Sequence, residues 1–203
     1  MYTRATFLAT LILFILGCSQ PKKEVEQQAQ KEEVYAPDII DTSLLNEAKS
    51  YCLENDFALD FALLVDLAPH SGNYRMFAIN LFTGDTLFKA LCTHGHCQKY
   101  EGRFAEFSNL PGSNCSSLGK YKIGGKYAGT FGTSFKLYGL EESNSNALYR
   151  YVVLHGHPCV PDIDQEDDIC TSEGCPTVSP STLRKLETFI DLHNKPILLW
   201  IYS

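Results

Sequence analysis

Residues 119–140 read GKYKIGGKYAGTFGTSFKLYGL. Aromatic and β-branched residues come in short runs between glycines. A helix interior rarely carries so many glycines, each costing about 1 kcal/mol there relative to alanine. The stretch therefore reads as short strands joined by turns, and it sets the class of the domain. Upstream, FALLVDL (61–67) and MFAINLF (76–82) read as strands. Thr83-Gly84-Asp85 is a turn, and TLFKALCT (86–93) returns from it, which makes a hairpin. Downstream, LYRYVVLHG (148–156) and PILLWIY (196–202) are further strands. Two helices flank this set. In SLLNEAKSYCLEN (43–55), Leu44, Leu45, Ala48 and Cys52 recur at helical spacing, with Ser43 as a possible cap. After Pro176, Ser179 is a good N-cap and Pro180 suits the first helical position. Leu183, Leu186 and Ile190 then repeat at spacings of three and four, and Asn194 can end the helix. The expected class is mainly β, a β-rich α+β domain with one or two packed helices. A loop-rich region spans residues 157–178.

The N-terminus has a different character. Arg4 precedes an apolar run from Phe7 to Leu16, broken only by Thr10. The run is about half the length that spans a bilayer, and it fits a secretory signal better than a membrane anchor. It ends in Ile15-Leu16-Gly17-Cys18, which resembles a bacterial lipoprotein cleavage box whose cysteine thiol takes a diacylglyceryl group. Acyl chains on Cys18 would hold the protein to a membrane without spanning it. Ser19 is not the aspartate of the common inner-membrane retention signal, which favours the periplasmic face of the outer membrane. Residues 1–17 are thus expected to be a signal peptide. Residues 18–40, rich in Gln, Glu and Lys, form the lipidated cysteine and a tether too polar to bury a core. Residues 41–203 are one globular domain, long enough for a real core.

The formal charge is −7, and removing Arg4 with the signal takes it to −8. No basic patch stands out, so nucleic acid is not an expected partner. The chain has eight cysteines. If Cys18 is lipidated, seven remain: Cys52, Cys92, Cys97, Cys115, Cys159, Cys170 and Cys175. Export makes disulfides chemically plausible, and an odd number leaves one thiol over.

Residues 154–180, LHGHPCVPDIDQEDDICTSEGCPTVSP, hold the candidate chemistry. Three readings compete. In the first, CTHGHC (92–97) and HGHPC (155–159) supply zinc ligands, although neither has the usual ligand spacing. In the second, disulfides staple the loops. Cys159 with Cys170 would stiffen an acidic loop, Cys92 with Cys97 a tight turn, and Cys52 with Cys115 the first helix, one set among many possible pairings. In the third, Cys175, left over, is a nucleophile. It lies in Ser172-Glu173-Gly174-Cys175-Pro176, where glycine lets backbone N–H groups approach a substrate oxygen. His155 or His157 would activate the thiol and protonate a leaving amine.

The third reading is carried by a resemblance. HG followed by a loop and S-x-G-C resembles the signature of the L,D-transpeptidase catalytic domain, which cross-links bacterial peptidoglycan. Sixteen residues separate His155 from Ser172 and fourteen separate His157 from Ser172, and the HG pair favours His155. LCTHGHC (91–97), FSNLPGS (107–113), SSLGKYKIG (116–124), SFKLYGLE (134–141), NALYRYVVLHG (146–156), SEGCP (172–176) and the closing LLWIYS resemble the subfamily whose motif ends in GCP. The chain departs from it at Glu173, where the family hallmark has His, and at Thr171, where Arg is frequent. The resemblance implies an L,D-transpeptidase-like β-sandwich, a thiol enzyme acting on peptidoglycan stem peptides, and no cofactor. It implies Cys175 as nucleophile, His155 as base with His157 the alternative, N–H groups of Gly174 and Cys175 as oxyanion donors, and Ser172 as a support. His94-Gly95 would be framework or cleft lining. His70 and His193 are expected to be solvent-exposed. Two other functions remain open: an inactive cell-wall-binding lipoprotein, and a zinc-dependent peptidase.

Overall fold

The structure is a computed structural model that describes residues 40–99 and 103–203. The described residues belong to one compact unit, Ile39–Ser203. The expected signal peptide, Cys18 and nearly all of the tether lie outside the described residues. Among the described residues, no helix is long and apolar enough to cross a membrane.

Eleven elements follow one another: α1 (Thr42–Glu54), β1 (Ala62–Asp66), β2 (Met76–Asn80), β3 (Asp85–Ala90), β4 (Gly119–Gly129), β5 (Gly132–Gly139), a 3-10 turn (Glu142–Asn144), β6 (Val153–Gly156), β7 (Thr177–Val178), α2 (Pro180–Asp191) and β8 (Ile197–Tyr202). All eight strands join one mixed sheet in the order β3-β2-β1-β8-β4-β5-β6-β7. The β1–β8 and β6–β7 pairs are parallel and the others antiparallel. The mainly β class with two helices is therefore what the chain forms, its strands hydrogen-bonded into a single sheet.

The middle of the sheet is buried on both faces, which is why its strands read as unbroken apolar runs. Side chains alternate between faces. Leu63, Val65, Met76, Leu199 and Ile201 enter one core with Leu183 and Leu186 of α2. Ala62, Leu64, Phe77, Ile79, Leu198 and Trp200 enter a second, covered by Ala48 and Cys52 of α1. Lys120 of β4 fastens α1 at its rim, pairing with Glu47 at 2.7 Å and Glu141 at 3.3 Å while lying 4.0 Å from the Trp200 ring centroid.

Local chemistry moves several expected boundaries. Asp41, not Ser43, caps α1, its carboxylate accepting from Ser43 N–H at 2.8 Å. Ser179 caps α2 as expected, accepting from Thr182 N–H at 3.1 Å, with Pro180 in the first turn. That helix stops at Asp191, before Asn194. The strand expected from Leu148 begins only at Val153. Residues before it coil instead, with Arg150 N–H bonded to Asn146 O at 2.8 Å and Tyr151 at φ +57°. The two long strands β4 and β5 replace the several short ones expected of residues 119–140.

Among the described residues the cysteines pair as Cys97–Cys115 and Cys159–Cys170, leaving Cys52, Cys92 and Cys175 free. The expected Cys92–Cys97 and Cys52–Cys115 bonds are thus corrected. Cys52 is buried under α1 in one core and Cys92 in the other, where both serve as small apolar residues. Burial pushes both thiols up, to about 12.

Candidate active site

The parallel pair β6–β7 brings the candidate residues together. His155 is opposite Thr177, and Cys175 lies two residues earlier on the β7 side. Positions i and i+2 of an extended strand share a face. Cys175, Thr177 and His155 accordingly line one cleft of about 670 Å3, with Ser172, Glu173 and His157 also in its wall.

The turn that carries Cys175 is held tightly. Ser172 Oγ donates to Cys175 O at 2.7 Å and accepts from Gly174 N–H at 3.1 Å. Thr93 Oγ1 reaches the same Cys175 carbonyl at 3.2 Å, and Thr93 N–H bonds Thr177 O at 2.9 Å. Gly174 is at φ +110°, and a Cβ there would come 2.6 Å from Cys115 O. Both its conformation and the space beside it require glycine. In this structure the Gly174 N–H is bonded to Ser172 Oγ.

Cys175 is half-buried and its Sγ accepts from Val153 N–H at 3.4 Å. Burial pushes its thiol up, the Glu173 charge adds to that, and Val153 N–H and Arg150 oppose it. The resting sulfur is thus protonated at neutral pH. His155 is 7 % exposed and burial pulls its imidazole below the ordinary value, so the ring is neutral. Its Nδ1 is 3.2 Å from Gly156 O and its Nε2 3.1 Å from Thr177 Oγ1. Nδ1 therefore donates to the carbonyl, and Nε2 accepts from the hydroxyl. Both shifts favour the uncharged forms, a thiol and an imidazole.

His157 is placed differently. It is half-buried at the cleft edge, its Nδ1 2.8 Å from Cys159 Sγ. The Phe131 ring stacks on His155 with centroids 4.9 Å apart and meets His157 edge-on at 5.2 Å.

Arg150, which sequence reading did not single out, organises the far wall. Its terminal nitrogens donate to Ser108 O at 2.9 Å, Ser113 Oγ at 3.3 Å, Ser117 Oγ and Cys115 O. It thereby holds the Cys115 carbonyl against Gly174. Thr177 was also passed over, although its place two residues after Cys175 was the available signal. Nothing local in the sequence marked Phe131.

The upstream HGH segment is framework. Gly95 bridges Ser172, Ser172 N–H bonds His94 O at 2.8 Å, and His96 N–H bonds Ser172 O at 2.9 Å. His94 is buried 3.2 Å from the Arg75 guanidinium, while His96 lines the cleft. Among the described residues, the two HGH clusters do not come together as one group of metal-competent side chains. Among the described residues, the one group of three metal-competent side chains is His157, Cys159 and Cys170, and its two sulfurs are bonded to each other. His70 and His193 are not solvent-exposed as expected. Both are half-buried, the first bonding Gly72 N–H at 3.2 Å and the second Phe189 O at 2.7 Å.

The acidic loop is closed by the expected Cys159–Cys170 disulfide and packed against the body. Val160 and Ile169, at its ends, bury against Leu91. Gln165 N–H bonds Gly72 O at 3.0 Å and Ile169 N–H bonds Ser71 Oγ at 3.1 Å, while Asp162 accepts from Ser179 and Ser181. Those two hydroxyls, Ser179 first, hold the Asp162 carboxyl below the usual range.

The model of the L,D-transpeptidase catalytic domain family matches residues 30–202, and the chain belongs to that family. Solved structures with a similar fold include an L,D-transpeptidase from Xylanimonas cellulosilytica, at 14% identity over 75% of this chain and 68% of that one, TM-score 0.43. The helical cell shape determining protein Pgp2 from Campylobacter jejuni matches at 13% identity over 76% and 55%, TM-score 0.44. An L,D-transpeptidase from Mycobacterium smegmatis matches at 11% identity over 71% and 59%, TM-score 0.40. The chain thus spans between 55% and 68% of the length of these three structures. No curated protein sequence matches it.

Proposed function

We propose that the protein is a peptidoglycan-modifying cysteine L,D-transpeptidase, attached to the cell envelope through lipid on Cys18 at the periplasmic face of the outer membrane. The observation that carries the reading is the free Cys175 thiol on a rigid S-x-G-C turn, sharing one cleft with a neutral, buried His155.

In this reading the Cys175 sulfur attacks the amide carbonyl between the diamino acid and the terminal D-alanine of a tetrapeptide stem. As the C–S bond forms, the thiol proton passes to His155 Nε2, with the Thr177 hydroxyl yielding its place there. The Cys175 N–H steadies the oxyanion. The C–N bond breaks and the imidazolium proton leaves with D-alanine, giving a thioester. An amine then takes the acyl group to form a cross-link, or water takes it in a carboxypeptidase reaction, and the thiol returns. Ser172 is a positioning residue, because both of its bonds run to the turn's own backbone. His155 is favoured over His157 because it pairs directly with the nucleophile's strand.

Intact-mass measurement of the protein incubated with a tetrapeptide stem tests the reading. The account expects a mass gain of stem minus D-alanine, mapped to Cys175. His155→Ala should suppress that adduct at least 100-fold, the usual scale for removing a general base, and His157→Ala far less. An adduct unaffected by His155→Ala, or one mapped elsewhere, contradicts the assignment.

A further inference from the structure

A second pocket, of about 330 Å3, adjoins the catalytic cleft, and Asn114, Arg150, Tyr151 and Glu173 line both. Two features of that shared wall call for a ligand. Glu173 is exposed, and no described residue gives its carboxylate a hydrogen bond or ion pair. Tyr151 is 84 % exposed while its backbone is held at φ +57°. A bulky residue in that region carries backbone strain, which persists where the surroundings impose it. The Tyr151 carbonyl is also 3.8 Å from Cys175 Sγ, so this aromatic residue is fixed directly to the nucleophile's surroundings. Tyr149, 73 % exposed, lines the same second pocket.

A free carboxylate beside exposed aromatic faces is the chemistry that receives an organic cation, by ion pairing and by attraction to the ring. The one strong positive charge in the wall does not compete for Glu173, since the terminal nitrogens of Arg150 are committed to Ser108, Ser113, Cys115 and Ser117. We propose that Glu173 and Tyr151 form the seat of the ammonium group of the acyl acceptor, so that the second pocket selects cationic amines for transfer from the Cys175 thioester. This inference rests on the thiol acyl-transfer reading above and assigns the acceptor side of that site.

The placement also accounts for an otherwise unfavourable charge. Glu173 beside Cys175 works against the thiolate. A bound ammonium offsets that charge, so the carboxylate hinders an empty site more than a filled one. The acceptor arrives as R–NH3+ and gives one proton to neutral His155 Nε2. As R–NH2 it attacks the thioester carbonyl. The C–N bond forms and the C–S bond breaks. The amine's second proton passes to the Cys175 sulfur, and the proton on His155 leaves to solvent.

The test is a partition experiment on the full chain with a tetrapeptide donor. Two nucleophiles compete for the thioester: a stem peptide with a free, protonated diamino-acid amine, and hydroxylamine, which is uncharged at neutral pH. The readout is the ratio of the two products. Glu173→Gln should lower the ratio of peptide to hydroxylamine product about fivefold, the scale of a solvent-exposed ion pair. Glu173→Asp should restore part of it, and the wild-type ratio should decline with added salt while that of Glu173→Gln does not. A ratio unchanged by Glu173→Gln, with acyl-enzyme formed normally, overturns this proposal alone. A wild type that forms no acyl-enzyme overturns the underlying reading and the proposal with it.

Discussion

Phe131 lies nearly parallel to the His155 ring, at an interplanar angle of 16°, yet is itself 55 % exposed. It acts as a cover that keeps water from an imidazole whose value is depressed by burial. The sign of its effect on pH dependence follows. Under the proposed assignment His155 must be neutral to accept the thiol proton, so activity should be lost as pH falls through the His155 value, which lies below the ordinary 6.5. The raised Cys175 value puts any alkaline loss from the thiol above the thiol's ordinary value. Removing the cover in Phe131→Ala should rehydrate His155 and move the acid limb of the pH–rate profile upward, toward 6.5. A limb that stays in place, or moves down, contradicts the assignment of His155 as base. At this scale the sequence was legible where chemistry is local. Ser172, Gly174 and Cys175 stand in one short motif, and Ser172 and Cys175 line one cleft with His155. Arg150 and Phe131 were not legible, because each meets the site only through a tertiary approach, one across the 108–117 segment and the other from the turn between β4 and β5.

The helix α2 connects the site to the core. Its Leu183 and Leu186 are buried, and Gly156, next to His155, packs so close that a Cβ there would lie 3.3 Å from Leu183. Leu186→Ala should cost about 2–5 kcal/mol and lower the thermal midpoint by several degrees. A midpoint within a degree of wild type contradicts the packing described. Both helices and nearly every strand were readable from periodicity, since amphipathic spacing and apolar runs record burial directly. The segment before β6 misled because Leu148 to Val152 has strand-like composition. Its backbone instead turns at Tyr151, which buries Ala147 and Val152 and directs Arg150 onto the loop it holds. The disulfides misled for a related reason. Spacing suits Cys92 with Cys97, but the segment carrying Cys97 lies against residue 115, with Cys97 N–H bonded to Asn114 O at 3.2 Å. That proximity is set by the fold and leaves no local trace.

Across the described residues, one sheet carries two apolar faces, each closed by one helix, and the candidate cleft opens at the β6–β7 edge. Rigid central strands hold the motif, while loops at the edge stay accessible. The acidic loop, closed by the Cys159–Cys170 bond as its spacing suggested, is also docked by two apolar residues at its ends and by the bonds from Ser179 and Ser181. The central claim is that Cys175 in this cleft performs acyl transfer on peptidoglycan stems. Chromatography and mass spectrometry of tetrapeptide muropeptides after incubation with the protein, beside Cys175→Ala, test it most directly. The account predicts that the wild type alone releases D-alanine and yields cross-linked dimers, tripeptides or both. Unchanged muropeptides with the wild type, or equal products from Cys175→Ala, would contradict it.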